Sequence, residues 1–385
     1  MLSSPPRVLV VTVVHTPLDA RIHHRQIRGM RDAGWSVTYA APFSATGTDP
    51  SEVVTGTVTI DLPRATGRAR VRASRAARRV ISQLAPQHDV VLLHDPELLL
   101  AVGRLARRHR VVLDVHEDFA GSLHEREYLP RFVRTLAALA ARRLERWAER
   151  NVGLLLAEER YVDRFRWPHP VIRNLPWVNS SARPAMAMRR SAVVYLGRIS
   201  RARGALEMIE LGRCLRASGE ASVELIGAVD RDVEDEIRTA NHRGDVCWSG
   251  FVPNQEAFER LPGAIAGLSL LHDTPNYRVS MPTKVLEYLA CGLPVISTPL
   301  SAARQLIEEY EVGVIVDVGD IDAVVRAVRE LAGDERRYRE LQQRAVSVIT
   351  ERSWQRELPS FLAALAEEGC SQGHAEPPGT GPVTL

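Results

Sequence analysis

Twice along its length the chain sets short apolar runs, each the length of a strand, between segments of helical period. That alternation fits little other than parallel sheets covered by helices. Runs at 8–14, 36–41, 90–93, 111–115 and 152–156 form the first set. A Pro-punctuated irregular segment, 167–184, interrupts the rhythm, which resumes at 193–196, 223–226, 246–249, 268–271, 294–297 and 314–316. We expect an α/β protein of two Rossmann-like domains facing across a cleft, 1–178 and 183–352, joined near 176–184. The stretch 354–368 is amphipathic and is expected to pack back on the first domain, and 371–385, rich in Gly, Pro and Thr, is expected to be disordered. With 385 residues, 45% of them hydrophobic, the chain can bury two cores. Open parallel sheets bind ligands outside the carboxyl ends of their strands, which places the expected site in the cleft.

Composition removes several function classes. Cys214, Cys247, Cys291 and Cys370 lie far apart and form no CxxC or metal-ligand spacing, so neither a disulfide framework nor a zinc site is indicated. The first apolar run has one basic residue before it and no small-residue cleavage site after it, which reads as a strand rather than a signal peptide. No apolar stretch approaches membrane-spanning length, and a cytoplasmic protein is expected. A net charge of +3 gives no argument for nucleic acid. The positive charge is supplied unusually: Lys284 is the only lysine, and every other member of the 50 Lys+Arg is arginine.

The segment 276–299, NYRVSMPTKVLEYLACGLPVISTP, carries the strongest local signal. Pro282 suits the first position of a helix, Gly292 its exit, and 293–297 the buried strand that follows. The helix N-terminus, flanked by Met281, Pro282 and Thr283, offers free N–H groups and the positive dipole end to a diphosphate. Lys284 sits in the first turn, where the dipole disfavours a cation, so it calls for a compensating anion. Glu287, three residues on, shares its face and can accept hydrogen bonds from vicinal hydroxyls such as those of a ribose. The plain alternative is a surface ion pair between the two. A second signal, YLGRISRARG at 195–204, ends the first strand of the second domain. Gly197 lets backbone approach a ligand there, and Arg198 and Arg203 offer guanidinium forks for phosphate oxygens, the alternative being solvated loop arginines.

Together with CWSGFV at 247–252, these segments resemble the donor half of the retaining family 4 glycosyltransferases of the GT-B fold. HTPLDARIHHRQIRGMRDAGWSVTYAAP and VVLDVHEDF in the first half resemble a branch of the same family, so the likeness spans roughly 7–365. The resemblance implies transfer of a sugar from a nucleoside diphosphate sugar with retention of configuration. It implies that Arg198 and Arg203 bind the donor diphosphate, that Glu287 binds the ribose, that Gly250, Phe251 and Val252 lie near the nucleobase, and that His116 faces the transferred sugar. Two positions depart from the usual pattern. Arg203 stands where many members have lysine, and Val279 where many have a second glutamate that contacts the sugar. Donor identity is therefore open, although the branch with Pro-x-Lys before Glu-Tyr commonly lacks that glutamate.

In the first domain Asp19 is placed to cap a helix over 20–33, and Arg21 in its first turn would face the cleft on the acceptor side. The tip at 114–117 brings His116 and Glu117 to a strand's carboxyl end, where a histidine beside carboxylates stays near its titration point. His94–Asp95–Pro96–Glu97 ends the neighbouring strand, and a loop or helix-cap role is favoured there. The stretch 64–80 holds seven arginines and no acid, with Val71, Ala76, Val80, Ile81 and Leu84 roughly on one face. Residues 64–84 would then form either a peripheral contact with an anionic membrane or an ordinary surface helix. The arginines, Lys284 and the helix N-terminus supply the positive charge that a divalent ion provides elsewhere. No Asp-x-Asp stands beside a strand end, so metal-independent transfer with no cofactor is expected. Two rivals remain: a sugar-nucleotide epimerase, for which a clear acid–base candidate appears only at His116, and a catalytically silent nucleotide-sugar-binding partner.

Overall fold

The computed structural model describes residues 5–116, 131–178, 191–274, 277–278 and 280–367. Two compact units result, Met1–Arg173 with Leu358–Leu385, and Asn174–Glu357. Glu117 and the tail 371–385, expected to be disordered, lie outside the described residues.

The first unit is a six-stranded parallel sheet. Its strands are β1 (Arg7–Val11), β2 (Ser36–Ala41), β3 (Val58–Asp61), β4 (Val90–Leu93), β5 (Val111–Val115) and β6 (Gly153–Leu156), in the order β3-β2-β1-β4-β5-β6. Four of the six are buried along all or nearly all of their length, as parallel strands covered on both faces must be: β1 and β5 lose only an end residue to partial exposure, and β4 and β6 lose none. Register runs Val8 against Val37 and Val90, and Leu113 against Leu93 and Leu154. Strand order reverses between β1 and β4, so their carboxyl ends open the crevice where ligands of such sheets bind.

Two features differ from expectation. β3 was not anticipated, because VTID is short, half-exposed and at the sheet edge, where packing leaves little apolar signal. The expected helix over 20–33 is a π-helical turn, Ile22–Ile27, followed by an α-helix, Arg28–Asp32. The wider turn buries His23, Arg25 and Gln26 beside Ile22 and Ile27, a polar inward set that a 3.6-residue period does not signal. The arginine-rich helix is Arg70–Leu84, and its inward face is Ala73, Ala77 and Ile81, with Ala76, Val80 and Leu84 packed beside them. Its apolar residues are thus consumed by the core, save Val71, which is 58% exposed. From Leu358 the helix Trp354–Ala366 belongs to this unit, where Arg110 Nη2 donates to the Ala364 carbonyl at 3.1 Å.

The second unit repeats the plan with β7 (Ala192–Leu196), β8 (Ser222–Ile226), β9 (Cys247–Trp248), β10 (Gly267–Ser269), β11 (Val295–Ser297) and β12 (Gly313–Ile315). The order is β12-β11-β10-β7-β8-β9, all parallel, with the reversal between β10 and β7. The helices Ala205–Ser218 and Ile321–Gly333 bury apolar faces on one side of the sheet, and Thr283–Ala290 covers the other through Val285, Tyr288 and Leu289. Among the described residues no helix is long and apolar enough to cross a membrane.

Candidate functional site

Each sheet gathers polar side chains at its own reversal point. In the first unit the loop leaving β1 is pinned by Asp95, at the end of β4: Oδ2 accepts from Thr12 Oγ1 at 3.0 Å and from the backbone N–H of Val13 at 2.6 Å and Val14 at 3.3 Å. Asp19 caps the helical turn, its Oδ1 accepting from the Arg21 N–H at 2.8 Å and the Ile22 N–H at 3.0 Å. Burial opposes its charge, but His15 and these N–H groups prevail and hold its pKa below the usual value. Arg21 departs from the expectation that it faces a cleft. Its side chain is 3% exposed, and its fork grips Asp114, Nε to Oδ2 and Nη2 to Oδ1, both at 2.7 Å. Gln26 Nε2 adds a bond to Oδ2 at 2.9 Å. Although Asp114 is fully buried, Arg21 and these bonds keep its carboxyl well below the usual range, so it is ionised.

Asp114 in turn sets the charge of His116. The imidazole Nδ1 lies 3.5 Å from Asp114 Oδ2 and 3.0 Å from the Asp114 carbonyl. Burial alone would push its pKa down, but the bond and charge of Asp114 raise it to about 9. His116 is therefore an imidazolium near neutrality. Its Nε2 stands 3.1 Å from His15 Nε2. His94, buried on the far side of Asp114 with Nδ1 3.3 Å from Oδ2, has its pKa pushed down by burial and is neutral. Ligand atoms of His94, Asp114 and His116 lie within 4.8 Å of one another, close enough to ask whether they hold a metal ion. Both Asp114 oxygens already receive the Arg21 fork, and the guanidinium and the imidazolium repel a further cation, so the set fits an ion poorly. His15, Gln26 and His94 were missed as members of this cluster. Their signal was faint, since each is one polar residue in a loop or helix, and the partners of Gln26 and His15, Asp114 and His116, lie 88 and 101 positions away.

In the second unit two loops meet where β7 and β8 end. A Cβ on Gly227 would fall 2.0 Å from the Gly197 carbonyl oxygen, so only glycine allows that approach. Arg198 leaves this loop largely exposed and pairs with Asp230. Its carbonyl accepts from the Tyr195 hydroxyl at 2.7 Å. Arg203 Nε donates to the Tyr277 hydroxyl at 3.1 Å.

The helix Thr283–Ala290 begins at Pro282, as expected, and buries both Lys284 and Glu287. The plain surface ion pair is thereby excluded. Lys284 is 6% exposed, its Nζ stacks 3.6 Å from the centroid of the Tyr195 ring, and no hydrogen-bond acceptor meets it among the described residues. Burial first, then the nearby Arg203, pushes its pKa well below the lysine range, with Glu287 partly opposing. An added anion would relieve both causes. Gly250 takes φ 71° and its carbonyl accepts from the Gly227 N–H at 2.8 Å, while Phe251 beside it is 78% exposed and Val252 packs on the core. Gly197, Arg198, Arg203, Lys284 and Glu287 thus gather about the end of β7 and the helix beside it; of these, sequence reasoning omitted the supporting Tyr195 and Asp230.

A pair of parallel doubly wound sheets, each with its polar residues at the reversal point, is the architecture of GT-B glycosyltransferases. Residues 20–177 match the family described as glycosyl transferase 4-like domain, and residues 180–348 match glycosyl transferases group 1. The chain belongs to this family, and it is a glycosyltransferase. Among solved structures its fold resembles sucrose-phosphate synthase from Thermosynechococcus elongatus, at 16% identity and TM-score 0.66, over 94% of this chain and 98% of that one. It also resembles Anabaena HepE in complex with UDP and glucose (13%, TM-score 0.68, 94% and 99%). A third is WaaG, a glycosyltransferase involved in lipopolysaccharide biosynthesis (12%, TM-score 0.67, 94% and 100%). Identities this low speak to the fold. A comparison with curated protein sequences gives no match.

Proposed function

We propose that the second unit holds a nucleoside diphosphate sugar and that the chain transfers the sugar to an acceptor hydroxyl with retention and without a metal ion. The observation that carries the reading is Lys284: a buried amine, unmatched by any hydrogen-bond acceptor among the described residues, in the first turn of a helix beside Arg203. A diphosphate at that helix N-terminus satisfies the free N–H groups, the ammonium and the guanidiniums of Arg203 and Arg198 together. Glu287 then takes the ribose hydroxyls, and the loop Gly250, Phe251 and Val252 lies toward the base, with Gly197, Met281, Pro282 and Thr283 lining the diphosphate. The resolved complexes of HepE with UDP-glucose support a donor of this class. His116 is read as the group that meets the transferred sugar.

In the reaction the bond from the anomeric carbon to the diphosphate oxygen breaks as one to the acceptor oxygen forms, and the acceptor proton leaves with the diphosphate. Charge grows on the departing phosphate, where fixed cations stabilise it without reorganising. Thermal-shift titration with UDP, GDP, dTDP and ADP tests the donor half. One nucleotide should raise the midpoint, about 2.7 kcal/mol of stabilisation at a hundredfold excess over Kd. No shift with any of the four would overturn the reading.

A further inference from the structure

Beneath the carboxyl ends of β1, β4 and β5 the first unit encloses a cavity of about 110 Å³ whose two walls are chemically unlike. One wall is carbon, from Leu99, Leu113, Ala141, Leu144, Leu154 and the Phe165 ring. The other presents His15, His94, Asp95, Asp114 and His116, and the remaining charged groups on the lining are held in ion pairs, Arg70 with Glu97 and Glu145 with Arg164. His94 and Asp95 are each 1% exposed, and His94 Nε2 and Asp95 Oδ1 make no hydrogen bond among the described residues. The approach nearest to a contact is that of His15 Nε2 to Asp95 Oδ1, at 3.4 Å. His94 Nδ1 approaches the Asp114 carboxylate at 3.3 Å, outside hydrogen-bond geometry, and that negative charge favours the tautomer with the ring hydrogen on Nδ1, which leaves Nε2 as an acceptor. With Glu97 Oε1, also on the lining and without a hydrogen bond among the described residues, these buried acceptors call for a donor, and a hydroxyl is the neutral group that can supply it.

The rest of the ligand is set by the opposite wall. A sugar ring carries hydroxyls around its whole edge, and here several would press on carbon without a partner. A molecule with one hydroxyl on a hydrocarbon body matches both walls. An engineered cavity of roughly 150 Å³ holds benzene, so this somewhat smaller space admits one ring or a short branched chain and little more.

We propose that this cavity binds the hydroxyl-bearing end of an apolar alcohol, aromatic or alicyclic, and that such an alcohol is the acceptor class of the enzyme. The acceptor assignment rests on the reading of the chain as a transferase that uses a nucleotide sugar; the binding assignment rests on the cavity alone.

The test uses the full chain and two probes, benzyl alcohol and methyl α-glucopyranoside, followed by saturation-transfer NMR and calorimetry. Benzyl alcohol should bind saturably, and methyl α-glucopyranoside should not. Ala141→Leu extends carbon into the cavity and should weaken benzyl alcohol at least tenfold, and the milder Ala141→Val should weaken it in the same direction if the leucine variant folds poorly. Stronger binding of the glucoside, equal binding of benzyl alcohol by wild type and variants, or no saturable binding at all would overturn the proposal. Titrating the same samples with UDP, GDP, dTDP and ADP separates the two readings. A nucleotide bound without the alcohol removes the cavity assignment and keeps the donor site, and the alcohol bound without any nucleotide does the reverse.

Discussion

At the scale of single residues, charge state is the lesson, and it follows from partners the sequence holds far apart. His116 was legible as a candidate because it ends an apolar run, but its protonation was not. That depends on Asp114, which depends on Arg21 and Gln26. An imidazolium cannot accept a proton, so His116 acts as a donor of hydrogen bonds and a source of positive charge. His116→Ala should lower turnover roughly 10²–10³-fold while leaving nucleotide affinity near wild type, read by initial rates beside calorimetry. Since its pKa is raised in the folded state to about 9, the stabilisation from its contact with Asp114 is full below the ordinary histidine value of 6.5 and is lost as pH rises through about 9. Thermal midpoints measured across that window should fall in wild type and fall less in His116→Gln. The lone lysine was legible as unusual, and the structure adds that it is buried. Lys284→Met should stabilise the free protein at neutral pH by about 1–3 kcal/mol, because a buried ammonium without an acceptor is removed. The gain should shrink as pH rises toward 10.5, where the unfolded lysine also loses its proton. The same variant should weaken nucleoside diphosphate binding on the order of 10- to 150-fold. Lys284→Met that destabilises the protein and binds as before would make the lysine a packing residue.

At the scale of elements, apolar periodicity located eleven of the strands closely and missed β3, a short edge strand whose two end residues are exposed. Ser36–Ala41, Val90–Leu93 and Val111–Val115 fall close to their expected bounds, because a covered parallel strand is apolar along most of its length. Polar residues that face inward defeat the same reasoning, as in the π-turn Ile22–Ile27, where the demand for His23, Arg25 and Gln26 comes from distant partners. The close approach of the loops after β7 and β8 was equally hidden. Gly227 takes φ 147°, and an added Cβ would meet the Gly197 carbonyl at 2.0 Å. Gly204 takes φ 84°, with the Leu270 carbonyl 2.4 Å from its virtual Cβ. Gly227→Ala should therefore cost about 1–3 kcal/mol of stability by chemical denaturation, and it should weaken nucleotide binding as the Arg198 loop is displaced. Gly219, also at positive φ but with open space around it, provides the control: its alanine variant should cost stability without touching nucleotide affinity.

For the whole molecule the question is where the positive charge needed by a diphosphate comes from. The arginine-rich composition announces an answer without locating it, since many arginines pair with carboxylates, as Arg213 and Arg216 do with Asp245, and Arg329 with Glu220. Such pairs are exposed on at least one side and contribute little. What distinguishes the second unit is a cation that no carboxylate or carbonyl neutralises directly, Lys284, next to a guanidinium and a helix N-terminus. Among the described residues, the one cluster in the first unit with ligand-like spacing is already occupied by the Arg21 fork on Asp114. A divalent ion bridging donor and protein would have to find carboxylates at the donor site, and Glu287 is buried where the ribose is proposed to lie. Nucleotide binding should then be indifferent to metal. The rise in thermal midpoint on adding the preferred nucleoside diphosphate, and the rate of transfer from its sugar, should agree within about twofold in EDTA and in magnesium or manganese. Arg203→Ala should reduce both readouts alike in either buffer, because the guanidinium acts in place of the ion. If EDTA abolished the thermal shift and manganese restored it, a metal would be carrying the diphosphate, and the roles proposed for Lys284, Arg198 and Arg203 would have to be reassigned.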